Sequence, residues 1–194
     1  MFIQTEETPN PAALKFLPGR DVLSEGVADF ATRDAAARSP LARLLFEIDG
    51  VAGVFLATDF ITVTKANDRS WQTLKPMILG AIMDHFTSGA PVVDDGADTD
   101  GEEICSDAGD EIVSQIKELI DTRVRPAVAQ DGGDIIYKGF KNGTVYLHMR
   151  GSCAGCPSST ATLKMGIENM LRHYVPEVLQ VEAVMCSPAQ KSNQ

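Results

Sequence analysis

An acidic segment divides this 194-residue chain into two parts. Residues 94–111 carry nine acidic side chains and no basic one. Residues 94–109 hold almost no large apolar side chains, so they bury too little surface to offset the conformational entropy lost on ordering. We therefore predict a disordered linker over 94–109. It separates an N-terminal domain at 1–93 from a C-terminal domain at 110–186, and a loose polar tail follows at 187–194.

The formal net charge of −10 belongs mostly to that segment, because 18 acidic side chains elsewhere nearly balance 17 basic ones. No basic stripe indicates a nucleic-acid partner. No apolar run approaches the roughly 18 residues of a membrane-spanning helix. The first residues lack the pattern of a signal peptide. We expect a protein of the cytoplasm, or of an organelle matrix if a targeting segment has been removed.

The N-terminal domain combines strand and helix patterns in one α+β unit. Ser39-Pro40 is typical of a helix start, with serine as the cap and proline in the first turn. Two β-branched and aromatic runs joined at Thr58-Asp59 predict a hairpin. The predicted elements are strands at 2–5 and 14–17, a helix from Pro40, hairpin strands at 51–57 and 60–65, and a helix at 71–86.

The C-terminal domain also has an α+β pattern. Asn142-Gly143 between two apolar runs is a strong hairpin signal, and Arg125-Pro126 should end or kink the first helix. The predicted elements are a helix at 112–120, a tight turn at 131–134, strands at 135–140 and 144–149, a helix at 157–174 and a strand at 178–184.

A close cysteine pair, Cys153-x-x-Cys156, lies between the hairpin and the last predicted helix. Gly151 and Gly155 let the backbone curl. Pro157 fits the first helical position, which places Cys156 near the helix N-terminus, where thiolate is favoured over thiol. Soft thiolates bind zinc, copper(I) or iron–sulfur clusters.

The number of ligands that a metal site needs indicates where the remaining ligands come from. A tetrahedral zinc or a cubane cluster usually takes four protein ligands, and this loop supplies two. Cys105 lies in the acidic segment and Cys186 follows the last predicted strand, and we interpret both as incidental. A second copy of the chain, related by a two-fold axis, is the simplest source of the other two ligands.

Other interpretations of the pair remain open: a thioredoxin-like thiol–disulfide oxidoreductase, a structural zinc site, or two buried structural thiols. The oxidoreductase is the main alternative, although a helix and a hairpin precede the motif where thioredoxins have a βαβ unit. The Asp131–Asp134 turn is either a cation site or only a tight loop. We expect structural roles for His85 and His148.

Several segments resemble a known family of two-domain proteins. The turn Asp131-Gly132-Gly133-Asp134, the hairpin, and Gly151-Ser152-Cys153-Ala154-Gly155-Cys156-Pro157 resemble the C-terminal domain of NifU, as found in the Nfu-type iron–sulfur carriers. The N-terminal domain resembles that of the same carriers. The shared segments there are Thr8-Pro9-Asn10-Pro11, Leu14-Lys15-Phe16, Ser39-Pro40-Leu41, Gly50-Val51 and Asp59-Phe60-Ile61-Thr62-Val63.

The resemblance spans nearly the whole chain and implies a carrier that is not an enzyme. It implies a [4Fe–4S] cluster held by Cys153 and Cys156 of two protomers in a homodimer. Upstream cluster-assembly proteins would supply the cluster, and apo iron–sulfur proteins would accept it. The linker here is longer and more acidic than the family pattern requires.

Overall fold

The computed structural model describes residues 2–94, 109–154 and 157–184. These residues form two α+β domains, each built on its own sheet and its own apolar core. The predicted fold class is thus confirmed. The domain limits stay predictions, and most of the predicted linker and the whole of the tail lie outside the described residues.

The N-terminal domain contains a five-stranded antiparallel sheet. Its spatial order is β1-β2-β5-β4-β3, so the predicted hairpin pairs β4 with β5 at the centre. Strand β3, which is only three residues long, was not predicted from the sequence. The strands are β1 (Gln4–Glu7), β2 (Ala13–Leu17), β3 (Ala28–Phe30), β4 (Val51–Leu56) and β5 (Ile61–Lys65).

Two helices cover one face of this sheet. The first, α1 (Pro40–Phe46), begins as predicted, because the Ser39 Oγ accepts a hydrogen bond from the Ala42 amide at 3.0 Å. The second, α2 (Trp71–Ser88), ends at Gly89, whose φ of 70° is the left-handed conformation that favours glycine. A short 3₁₀ turn at Ala35–Arg38 precedes α1. The largest fully buried side chains here are Phe16, Phe30, Leu41, Leu45, Leu56, Ile61, Leu74, Ile78 and Ile82.

The opposite face of the same sheet is also buried at its centre. Lys15, Phe55 and Thr62 alternate along their strands with residues of the apolar core, yet all three are buried. An antiparallel sheet often leaves its second face to solvent. Here the C-terminal domain covers that face.

The C-terminal domain packs its helices on a three-stranded sheet of order β6-β7-β8. Strands β6 and β7 are antiparallel and join through Asn142 and Gly143, whose φ angles are 50° and 77°. Strand β8 runs parallel to β7, and α5 makes the crossover that a parallel pair requires. The elements are α3 (Asp110–Leu119), α4 (Arg125–Gln130), β6 (Gly133–Lys141), β7 (Thr144–Gly151), α5 (Pro157–Tyr174) and β8 (Gln180–Val184).

The predicted break at Arg125-Pro126 takes the form of a π-helical turn. Residues Ile120–Val124 adopt i to i+5 hydrogen bonding between α3 and α4. This wider turn accommodates Pro126, which has no backbone N–H to donate, and the chain stays helical through it. Helix α4 therefore continues to Gln130, and the Asp131–Asp134 turn follows it directly. Within the described ranges, no helix is long and apolar enough to cross a membrane.

Candidate functional site

Residues 151–154, called here the cysteine loop, connect β7 to the turn at Asp131–Asp134 by hydrogen bonds. The Ser152 Oγ donates to the Asp131 carbonyl at 2.5 Å, and the Ser152 amide donates to the Gly132 carbonyl at 3.2 Å. The Thr160 Oγ1, in the first turns of α5, donates to the Cys153 carbonyl at 3.0 Å. The loop is therefore tied to the end of α4 on one side and to α5 on the other.

The Cys153 side chain points into the protein and is only 6 % exposed. It belongs to the apolar core of the C-terminal domain, with residues such as Met149 and Leu171. A Cβ added to Gly133 would lie 2.6 Å from the Cys153 Sγ. The sulfur thus occupies space that only a glycine at 133 leaves free.

Burial, helped by the nearby carboxylates of Asp131 and Asp134, raises the pKa of Cys153 from 9.0 to about 11. The Ser152 hydroxyl, 4.0 Å from the sulfur, acts in the opposite direction. Cys153 is therefore a thiol at neutral pH in this arrangement. The thiolate that the helix N-terminus favours was expected at Cys156. At Cys153 the largest effect on the pKa is the loss of solvent around the buried sulfur, which favours the thiol.

The structure does not test the predicted cysteine pair, because Cys156 lies outside the described residues, as do Cys105 and Cys186. Helix α5 does begin at Pro157, as predicted. In residues 2–94, 109–154 and 157–184, no group of three or more His, Cys, Asp or Glu side chains gathers as a metal site would.

The Asp131–Asp134 turn has a structural role. The buried Asp134 carboxylate accepts two hydrogen bonds from Arg125, at 2.9 Å to Nε and 3.1 Å to Nη2. Gly132 has a φ of 80°, which favours glycine. Because the guanidinium already occupies the Asp134 carboxylate, the tight-loop interpretation is the one that this arrangement supports.

The two histidines singled out in the sequence lie apart from Cys153. His148 is half-buried on β7 with its Nδ1 3.1 Å from the Val184 carbonyl oxygen. His85 is buried near the end of α2, and its Nε2 has no hydrogen-bond partner in the described part of the chain. Burial lowers the pKa of both, so both are neutral at physiological pH.

The N-terminal domain contributes hydrogen bonds to the cysteine loop that were not predicted from the sequence. The Asn10 Nδ2 donates to the Ser152 carbonyl at 3.1 Å and to the Ala154 carbonyl at 3.4 Å. The sequence around Asn10 indicated only a turn, and nothing local to it points to residues more than 140 positions away.

Two further side chains of the N-terminal domain reach the same region. The Lys15 Nζ donates to the Ala129 and Gln130 carbonyls, both at 3.2 Å. The Thr62 Oγ1 donates to the Gly132 carbonyl at 2.7 Å. Leu14 and Phe16 flank Lys15 in the predicted strand, and this was a usable signal, since a lysine buried in an interior strand needs a partner.

Comparison with protein-family models identifies both halves of the chain. Residues 3–89 match the model described as scaffold protein Nfu/NifU N terminal, and residues 116–182 match the NifU-like domain. The order and spacing of the two matches agree with the two domains of the structure.

Relatives align along nearly the whole chain. The human NFU1 iron–sulfur cluster scaffold homolog, mitochondrial, is 57 % identical over 186 residues, which cover 95 % of this chain and 72 % of the human protein. The protein of the same name from Drosophila sechellia is 53 % identical over 185 residues, and this chain spans 65 % of its length. A solution structure of a NifU-like protein from Saccharomyces cerevisiae aligns with 48 % of this chain and 84 % of its own, at 28 % identity and a TM-score of 0.42. By its identity to the human protein and its two matched domains, the chain belongs to the NFU1 family of iron–sulfur cluster scaffolds.

Proposed function

We propose that this chain binds a [4Fe–4S] cluster through Cys153 and Cys156 of two protomers and passes the cluster to apo-proteins. The observation that carries the proposal is the position of Cys153, on a loop between β7 and the start of α5. A motif that ends beside a helix N-terminus suits thiolate ligands. Membership of a scaffold family supports an iron–sulfur cargo.

Transfer is a ligand exchange in this proposal, and the cluster is cargo throughout. Each chain supplies two thiolates to a cluster with four iron corners, so a second copy completes the set. A thiol of the acceptor loses its proton and binds an iron, and the displaced carrier thiolate takes up a proton. No electron moves and no substrate is turned over, so the carrier is not an enzyme. Upstream assembly proteins supply the cluster.

We infer the cellular location of the protein from the names of its relatives more than from its composition. The human and fly relatives are named mitochondrial, which favours the organelle matrix among the two locations expected from the sequence. The comparisons lend no support to the cytoplasmic alternative.

The thioredoxin-like alternative requires an attacking cysteine with a lowered pKa. A thioredoxin also places its motif in a βαβ unit, whereas α4 and the β6–β7 hairpin precede the cysteine loop here. The two functions also differ in colour, because only the cluster protein has a broad visible charge-transfer absorption.

The test is anaerobic reconstitution with iron and sulfide, followed by absorbance spectra and assays of bound iron and sulfide. We expect a brown protein with about two chains per cluster. The Cys153→Ala and Cys156→Ala variants should each lose the cluster, whereas Cys105→Ala and Cys186→Ala should keep it. A colourless protein that cycles a disulfide between Cys153 and Cys156 would contradict the proposal.

A further inference from the structure

One amide of the N-terminal domain contacts both sides of Cys153. The Asn10 Nδ2 donates to the carbonyls of Ser152 and Ala154, the residues immediately before and after the cysteine. Asn10 is only 3 % exposed. The hydrogen bonds of Asn10 therefore fix the backbone that carries the Cys153 side chain.

Asn10 is held in place by its own turn. The Asn10 Oδ1 accepts a hydrogen bond from the Ala12 backbone amide at 3.0 Å, and the Asn10 backbone amide donates to the Thr8 Oγ1 at 3.2 Å. The Trp71 indole donates to the Pro11 carbonyl at 3.0 Å, which ties the turn to α2. Asn10 thus reaches the cysteine loop from a turn that is already ordered by the N-terminal domain.

Thr62 acts on the same loop through a shared acceptor. The Gly132 carbonyl accepts from the Thr62 Oγ1 at 2.7 Å and from the Ser152 amide at 3.2 Å. Thr62 is fully buried although it faces away from the core of its own domain. The hydrogen bond from the N-terminal domain therefore meets the carbonyl that anchors the cysteine loop.

Apolar packing surrounds these polar contacts. Phe55 is 1 % exposed and forms a small cluster with Ala57 and Phe60, against which Ala129 of α4 packs. A Cβ added to Gly151 would lie 3.1 Å from the Phe55 ring. We call the contacts of Asn10, Lys15, Phe55 and Thr62 with the C-terminal domain the interdomain contact.

This arrangement conflicts with a cluster shared between two chains. Such a cluster requires two cysteine loops to face each other with their sulfurs outward. In the structure the Cys153 sulfur is buried in the apolar core of its own domain, and Asn10 of the N-terminal domain binds the loop backbone on both sides of the cysteine. Turning the sulfur outward requires the backbone at 152–154 to move, and the two hydrogen bonds from Asn10 oppose that movement.

We propose that the interdomain contact is autoinhibitory: it holds the cysteine loop in the conformation that buries Cys153, and a cluster is bound only after Asn10, Lys15 and Thr62 release the C-terminal domain. This inference rests on the proposed function in assuming that Cys153 is a ligand. Release leaves the hydrogen-bonding groups satisfied, because every hydrogen bond in the contact ends on a backbone carbonyl that water can reach, and its main cost is exposure of the apolar packing around Phe55. The two domain cores share no residue, so each domain keeps its own core after release, and Cys153 is the one member of the C-terminal core that must leave it when the loop turns outward.

The first test measures access to Cys153 without any cluster. In a background with Cys105, Cys156 and Cys186 replaced by serine, Cys153 is the remaining thiol of the four cysteines in the chain. Alkylation by iodoacetamide at fixed pH is followed by intact mass. Loss of a hydrogen bond in Asn10→Ala or Thr62→Val should raise the alkylation rate roughly fivefold.

Ser39→Ala provides the matched control. Ser39 is fully buried in the N-terminal domain and loses comparable hydrogen bonds, to the Ala42 amide and the Val92 carbonyl, but it does not touch the C-terminal domain. Its alkylation rate should stay near that of the parent. Equal rates in Asn10→Ala, Thr62→Val and Ser39→Ala would overturn the proposal.

The second test measures anaerobic cluster loading in chains with all four cysteines. Asn10→Ala and Thr62→Val should load faster than the parent, and Ser39→Ala should not. Faster alkylation with unchanged loading would overturn the autoinhibitory role. If no chain takes up iron and sulfide, the proposed function fails, and the alkylation result still decides whether the contact keeps Cys153 buried.

Discussion

A Cβ on Gly133 would lie 2.6 Å from the Cys153 Sγ and 2.8 Å from the Arg150 carbonyl oxygen. Gly133→Ala should therefore displace the sulfur or the strand, at a cost of about 1–3 kcal/mol in unfolding free energy. Urea unfolding measures this cost. Cys153 in this variant should also be alkylated faster than in the parent.

The matched glycine is Gly166 on α5, whose added Cβ meets nothing within 4 Å. Gly166→Ala should stabilise the protein by roughly 0.5–1 kcal/mol, because alanine is the better helix former. Equal stabilities for the two variants would show that the space beside the sulfur is not limiting.

The acid–base behaviour of Cys153 predicts a pH dependence of stability. Its pKa is about 11 in the folded chain against an ordinary 9.0, so the folded state favours the thiol. The contribution of this thiol to the free energy of unfolding is fully present below pH 9 and is lost as the pH rises through 11. Between about pH 8 and pH 11, wild type should lose roughly 2 kcal/mol more unfolding free energy than Cys153→Ala. Parallel pH profiles for the two proteins would contradict the burial of this thiol.

Cluster binding and dimerisation should be one event. Each chain offers two adjacent cysteines, and outside the acidic segment the chain is close to neutral, so little else favours association. Light scattering should give a largely monomeric apo-protein and a dimeric loaded protein, with reversal on cluster removal. A loaded sample that remains strictly monomeric without added thiol would contradict the bridged site.

The C-terminal domain should fold without the N-terminal one. The buried apolar cluster of the C-terminal domain contains only residues from Ile116 to Val181. A fragment covering 110–194 should therefore unfold cooperatively and still bind a cluster. Because it lacks Asn10 and Thr62, it should load faster than the intact chain. An unfolded fragment would show that the domain limits proposed from the sequence are wrong.

Most elements could be predicted because their signals are local. Ser39-Pro40 and Asn142-Gly143 fix backbone geometry within a few residues, and the structure has the helix start and the hairpin at those places. Helix α5 begins at Pro157 for the same reason. Strand β3 was missed because three residues are too few to show alternation.

The interdomain contact could not be predicted, because it depends on residues far apart in the chain. Thr62 and Gly132 meet only when two separately folded domains are placed together. The burial of Cys153 was only one of the alternatives left open by the sequence, for a related reason. The motif showed a pair of cysteines and a helix start, whereas the pKa of Cys153 depends on the core that surrounds it.

The parallel pairing of β8 with β7 has a consequence for synthesis of the chain. Val181 of β8 is fully buried in the C-terminal core, and β8 follows α5 in the sequence. A chain made from its N-terminus exposes the cysteine loop and the open edge of β7 before β8 has emerged. During that interval on the ribosome, the N-terminal domain is already complete and offers Asn10 and Thr62 to the unfinished loop.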